Sequence, residues 1–565
     1  MTGELSWLAN LKRTYIGNAT ATRDMRVQLR GSRAVVLFTI YLFVMTLVLL
    51  WVYYDSLGGG REQYSLAMAQ SRLQGFYYAT LGSLAVVVTL VAPSMGAFAI
   101  VSEKMRRSLD LVFSAPTEPK YYLVGKLISS YRYVWLLLVL SLPFCAVSVT
   151  LGGTTWSQLF ITFVMYSMYG LVCVSFGLLM STLCNKVLPA IIWTYAAIGC
   201  YLFLTGGLMA VGAVGSRGSF TNINPVFSLN PVCYSFLADQ TWQVFGRDIP
   251  TWILSVLMHL FVVKFVVLAA GSMLAPGQSK EIRSLRLHAL FYAAAIIYLF
   301  AASISPVFMS AFGYISRTPG EMKPIDGLQV YHGRALFGLL FALGIMVVPY
   351  LSSFGFNDLR RHRPDGLFKI REIFTGRPSG HLPFLILLFA ASVAAYILGA
   401  NSTLGSSTFT PFGASTVSTV PLVFHSASIF FVTYAFLIFS IWITAFFLGW
   451  YSSSRRPILS RGRTISLFFF VLGLILPTAL FSIIAPEDAR TATGIWLINP
   501  IAGVISDTMA WKIAGIHGVI LMCISVLLFT ITIPLVAKRA SHNFDSPSGD
   551  RNDSNQTIPP IQKAN

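Results

Sequence analysis

Few residues in this 565-residue chain have the type and spacing for bond-making chemistry. The eight histidines stand apart, and no HExxH pair puts two of them on one helix face to hold zinc. No GxSxG nucleophile turn occurs. The six cysteines form no CxxC pair and mostly sit inside apolar runs, where they read as small buried residues rather than thiolate ligands or a disulfide framework. Asp239, Asp248, Glu487, Asp488 and Asp507 bring acids toward two Asn-Pro steps, which is the raw material for a paired-carboxylate site. Their scatter reads more simply as solvated loop charge. The only glycine triplet, Gly58–Gly60, lacks the lysine of a phosphate-binding loop, and no GxxxxGK[ST] occurs. The chain therefore has no ATP chemistry of that kind, no metal site and no bound cofactor by its motifs.

One residue stands out by its setting. Lys264 lies in the middle of an apolar stretch, 251–275, where a charge is costly and commonly faces a bundle interior or a watery path. It is a candidate pathway residue, contacting substrate or a lipid headgroup. The competing reading is a lysine that snorkels or pairs internally.

The elements around these residues are set by lipid. With 55% hydrophobic and 11% charged residues and a mean hydropathy of +0.70, the chain cannot cover a water-exposed surface, which excludes a soluble enzyme. Stretches free of Asp, Glu, Lys and Arg, save for Lys264 in the sixth, are long enough for spans of about 20 residues. They fall at 34–54, 73–102, two within 133–185 broken near Leu151-Gly152-Gly153, 187–216 and 251–275. The pattern then resumes at 287–316, 335–357, two within 378–454 split by the polar region Asn401–Thr419, 464–486 and 513–537. The runs are continuous rather than alternating, so they predict helices and not a barrel. The expected fold is an all-α polytopic membrane protein of about twelve spans.

Charge placement supports this count. With the N-terminus in the cytoplasm, the inner segments hold 30 of the 40 Lys/Arg and 12 of the 21 acids. That bias is the positive-inside pattern, puts both termini in the cytoplasm, and explains the formal charge of +19 without nucleic acid. No cleavable signal is read before the first span. The leader Leu5–Arg33 mixes apolar and basic residues, as an interfacial helix does. Tyr and Trp fall near span ends as an aromatic belt. The tail from Ser541 reads as disordered.

The two halves share a plan. Each has six spans, a charged inner loop between its second and third spans (103–132 and 358–377), and an outer Asn-Pro before its last span, at Asn230-Pro231 and Asn499-Pro500. Trp242 and Trp511 follow, then His259 and His517. The expected organisation is an interfacial helix over 1–33, one half over 34–279, a parallel repeat over 280–540, and a tail over 541–565. Internal repeats of this kind are common in transporters.

The first half carries a family resemblance. Arg26 to Arg33 leads into span one, and span two ends in Ile100-Val-Ser-Glu-Lys-Met-Arg-Arg-Ser-Leu-Asp-Leu111. Ser114-Ala115-Pro116 and Tyr121-Tyr-Leu-Val-Gly125-Lys126 follow. This resembles the ABC-2 type permeases of ATP-binding-cassette exporters, well over 26–275 and weakly over 287–537. The resemblance implies that a separate ATPase subunit docks on a short helix in the first inner loop. Glu103, Lys104, Arg106, Arg107 and Asp110 would form its polar face, Pro116 would end it, and Gly125-Lys126 would lead into span three. The second loop has Arg360, Arg361, Arg363, Lys369, Arg371 and Glu372 but lacks the Pro…Gly-Lys ending.

The resemblance further implies a bacterial inner-membrane transport subunit, not itself an enzyme, with two ATPase copies carrying ATP and Mg, and one chain or a homodimer forming the pathway. It would move a solute, lipid-linked molecule or polymer outward. An ion-coupled transporter would need paired acids in its spans, which are absent from the sequence; a lipid- or glycan-modifying membrane enzyme would need clustered acids or His over a large loop. A non-transporting assembly subunit is the remaining reading.

Overall fold

A helix satisfies its own backbone hydrogen bonds, so uninterrupted apolar stretches in lipid fold as helices. A computed structural model of the chain bears this out. It describes residues 17–29, 32–57, 66–109, 119–150, 154–215, 227–238, 240–244, 247–274, 279–311, 344–352, 372–374, 380–404, 420–451, 465–473 and 510–545. The longer helices are α1 (Ala19–Leu29), α2 (Ser32–Leu57), α3 (Leu66–Met105), α4 (Pro119–Thr150), α5 (Trp156–Leu183) and α6 (Val187–Gly215). They continue with α7 (Thr251–Leu274), α8 (Ser279–Ala311), α9 (His381–Leu404), α10 (Val420–Tyr451) and α11 (Ala510–Asp545). Among the described residues, eight helices are long and apolar enough to cross a membrane. This is a polytopic membrane protein. The expected eighth and eleventh spans are described only over 344–352 and 465–473, which are largely helical.

Breaks fall where the sequence weakens the helix. Helix α4 is described to Thr150, and α5 opens at Trp156 on a reciprocal capping box. The Thr155 hydroxyl accepts from the Gln158 N–H, and the Gln158 side chain accepts from the Thr155 N–H. Helix α9 runs to Leu404, so Asn401–Leu404 of the expected polar break are helical, and α10 begins at Val420. Three further findings depart from expectation. Helix α11 continues through Asp545, so Ser541–Asp545 are helical and not tail. A small antiparallel ribbon, β1 (Thr241–Val244) with β2 (Arg247–Pro250), interrupts the helices, pairing Trp242 with Ile249. The charged loop expected over 103–132 is bounded more tightly, because α3 runs unbroken to Met105 and the next helix already begins at Pro119.

One continuous apolar core links α3 through α11, from Tyr77 to Ile533. Its tightest joint is the crossing of α3 and α5. A Cβ on Gly177 would stand 2.5 Å from the Pro93 carbonyl oxygen and 2.7 Å from the Ala97 nitrogen, and one on Gly96 would collide with the Val174 carbonyl oxygen. Without side chains at these positions the two backbones touch, the small-residue mode of helix packing in lipid. The outward faces are apolar, as with Ile40, Phe43 and Trp51 on α2, and Val519 and Leu527 on α11.

Candidate functional site

At one end of the bundle, α1, the last turn of α3 and the first turns of α4 meet around Lys126. Asn18 starts α1: its Oδ1 accepts from the Thr20 and Ala21 N–H groups, and its Nδ2 donates to the Tyr121 carbonyl at 3.0 Å. The Tyr121 hydroxyl accepts from the Ala19 N–H. Gly125 allows this approach, since a Cβ there would lie 2.6 Å from Asn18 Oδ1.

One turn along α1, Asp24 Oδ2 lies 2.6 Å from Lys126 Nζ. On the other side, Glu103 Oε1 is also 2.6 Å from that ammonium, and the Tyr122 hydroxyl donates to Glu103 Oε2 at 2.6 Å. The Lys126 side chain is only 6% exposed, against 13% and 14% for its two acids. A buried cation of this kind needs both carboxylates, and each carboxylate needs it. Arg23 closes the outer edge, reaching Asp24 at 3.1 Å and Glu103 at 3.2 Å. Burial opposes its charge, but the hydrogen bond to Asp24 and the two nearby carboxylates raise its pKa above the ordinary value.

Lys104 turns the other way. Its ammonium donates to the carbonyls of Ser181, Thr182 and Cys184, the unpaired acceptors ending α5. The Ser181 hydroxyl in turn accepts from the Ile100 and Val101 N–H groups at 3.0 and 2.8 Å. Beyond Met105, Arg107 adopts φ 53°, a left-handed turn, and Arg106 and Arg107 are both exposed. Glu103 and Lys104 are thus in the closing turn of a span helix and engaged within the protein. Arg106 and Arg107 are exposed and form no ion pair among the described residues. Asp110 and Pro116 lie outside the described residues.

Residues 61–272 match the family model described as ABC-2 family transporter protein. This segment is similar to ABC-2 family transporter proteins, over less than half of the chain. Comparison with curated proteins returned no match. The matched segment holds Glu103, Lys104, Lys126 and the α3–α5 crossing, while Asn18 and Asp24 come from outside the matched stretch.

At the opposite end of the segment, Asn230 caps a short 3-10 helix, Pro231–Phe236, through its Oδ1 and the Val232 N–H, with proline at the first position. Its Nδ2 donates to Thr205 Oγ1 at 3.0 Å and the Leu202 carbonyl at 3.3 Å, tying the cap to α6. The Tyr234 hydroxyl is 2.9 Å from His259 Nε2, while His259 Nδ1 lies 2.7 Å from the Ser255 carbonyl. Since only a protonated Nδ1 can bond a carbonyl, Tyr234 donates and Nε2 accepts. Asn230-Pro231 is therefore a structural plug seated on a buried aromatic cluster with Tyr166 and Tyr169. Asn499 and Pro500 lie outside the described residues.

Lys264 is exposed on the outward face of α7, in a stripe with Ile253, Leu257 and Leu260. A charge at mid-bilayer costs about 2.5–3.5 kcal/mol by insertion scales. In the second inner loop, Glu372 is buried, and Arg286 of α8 donates to the Ile373 carbonyl at 2.8 Å while lying 5.1 Å from the Phe384 ring. Gly380 packs on the Glu372 carbonyl. Arg360, Arg361, Arg363, Lys369 and Arg371 lie outside the described residues. Sequence reading missed Asp24, Tyr122 and Arg286. The amphipathic leader was the only signal for the first.

Proposed function

We propose that the chain is the membrane permease subunit of an ABC-2 type exporter, driven by ATP hydrolysis on a separate ATP-binding-cassette subunit. The observation that carries this reading is the shared cation Lys126, which joins α1, the end of α3 and the start of α4 into one unit at the end bearing the inner loop. A push on such a unit reaches two spans at once. The connection from Met105 to Pro119, with exposed Arg106 and Arg107, is the surface offered to the ATPase, while Glu103 and Lys104 hold its root.

The second half has its own anchored loop root, where Arg286 holds Ile373. This supports a second docking loop around Arg360–Glu372, two ATPase copies with ATP and Mg, and a pathway formed by two six-span halves of one chain in a bacterial inner membrane. The cargo is a solute, lipid-linked molecule or polymer moved outward.

The test is purification of the tagged chain in mild detergent with the ATP-binding-cassette subunit it brings along. Arg106→Glu with Arg107→Glu is expected to lose that subunit while the chain stays monodisperse. An intact complex in the double variant, or a chain that carries no ATPase under conditions preserving other exporters, overturns the reading.

A further inference from the structure

The turn between α5 and α6 takes no part in the Lys126 unit, yet it is fixed to the same end of the bundle as the Met105–Pro119 connection. It is three residues long, Cys184 to Lys186, between the end of α5 at Leu183 and the start of α6 at Val187. Lys104 of α3 reaches it from the side. Its ammonium donates to the Cys184 carbonyl at 3.2 Å, and to the Ser181 and Thr182 carbonyls just before. The first turn of α6 is seated on α3 as well. Ala190 is buried with Ala97 and Val101, and Cys184, Val187 and Ile191 pack around them.

These bonds bring two exposed stretches together. Arg106 and Arg107 follow Lys104 by two and three residues, and Lys186 follows Cys184 by two. At no more than about 3.5 Å per residue, the backbone of neither stretch can run far from the Lys104–Cys184 bond. All three cations are exposed, and none forms an ion pair among the described residues. Glu103, at the root of the face, is held by Lys126 and Arg23. Asn185, between the two sides, is exposed.

The face is ordered before any partner arrives. The turn at Arg107 is closed by its own N–H on the Lys104 carbonyl and by the Ser108 N–H on the Glu103 carbonyl, both at 3.1 Å. A surface already in shape loses little freedom on docking, and one of a single sign selects a partner of the opposite sign. We propose that the α5–α6 turn is a second contact of the docking face, and that the ATPase subunit meets Arg106, Arg107 and Lys186 together through an acidic patch. The inference rests on the ATPase reading and extends it to a turn between two other spans.

The test uses the full chain in detergent with its co-purified ATPase. A photocrosslinking residue in place of Asn185 is expected to capture the ATPase. One in place of exposed Trp156, at the opposite end of α5, is expected not to. Lys186→Glu should weaken ATPase retention about fivefold, as the loss of one exposed ion pair implies, and Lys186→Arg should keep it. Added salt should weaken the wild-type complex more than the Lys186→Glu complex. The Asn185 crosslink needs no loss of binding, so it decides the case should Lys186→Glu disturb folding. A wild-type chain that brings no ATPase overturns the exporter reading and this contact with it. Unchanged retention in Lys186→Glu, or an Asn185 crosslink to lipid alone, overturns the contact and leaves the reading standing when Arg106→Glu with Arg107→Glu still releases the ATPase.

Discussion

Gly96 and Gly177 meet backbone to backbone where α3 crosses α5, with the Pro93 carbonyl oxygen 2.5 Å from where a Gly177 Cβ would stand. Neither helix can yield locally, because the obstructing atoms are main chain. Gly177→Ala should therefore destabilise the protein by about 1–3 kcal/mol through overpacking. Gly199→Ala, on a helix face with nothing within 4 Å, should be neutral or slightly stabilising. Thermal unfolding of the detergent-solubilised chain separates the two.

Lys126→Met removes the cation that both Asp24 and Glu103 face. Leaving two partly buried carboxylates together should cost about 2 kcal/mol or more, the half-open setting of the acids taking it below the deep-interior figure. Adding Glu103→Gln should recover part of the loss, so the double-mutant cycle is expected to be strongly non-additive. Purely additive effects would mean that the three residues do not act as one unit.

Tyr234→Phe leaves His259 Nε2 buried with no donor. The expected cost is about 1–3 kcal/mol, from an unsatisfied polar atom rather than lost volume. Asn230→Ala should cost about 1–2 kcal/mol by losing a helix cap and two bonds to α6. Asn230→Asp keeps the acceptor for the Val232 N–H but not the donor, and should fall between Ala and the wild type in the same unfolding assay.

Lys104→Met removes the donor that closes the end of α5. Hydrogen exchange in the following turn, Asn185 to Ala190, should rise several-fold, while exchange at Trp156–Leu159, held by the Thr155 capping box, should not change. A uniform rise across α5 would place the effect on global stability instead.

The presence of the described spans was legible from absence of charge and length near the bilayer thickness, but their limits were not: α3, α4 and α8 start at Leu66, Pro119 and Ser279, well inside stretches whose charges read as loop. The Asn-Pro elements were also legible as features, and the structure supplies their local role at Asn230. The charge cluster was not. Lys126 lies 23 residues from Glu103 and 102 from Asp24, so no local period links them. Their meeting depends on how α1 lies against α4, which the Asn18–Tyr121 bond fixes. The β1–β2 ribbon escaped notice because its strands are four residues each, too short for alternation to register. Only the Phe245-Gly246 step between them carries a hairpin signal.

The link from Lys104 to the last carbonyls of α5 has a mechanical meaning. It joins the same two helices that touch at Gly96 and Gly177, and the Ser181 hydroxyl adds a third fastening between those points. Helices α3 and α5 are therefore fastened at three levels over the half that bears Lys104, and form one stiff body there. On the exporter reading, a gate opening on that side would have to part this pair from its neighbours α4, α6 or α7 and not open the crevice between α3 and α5 themselves.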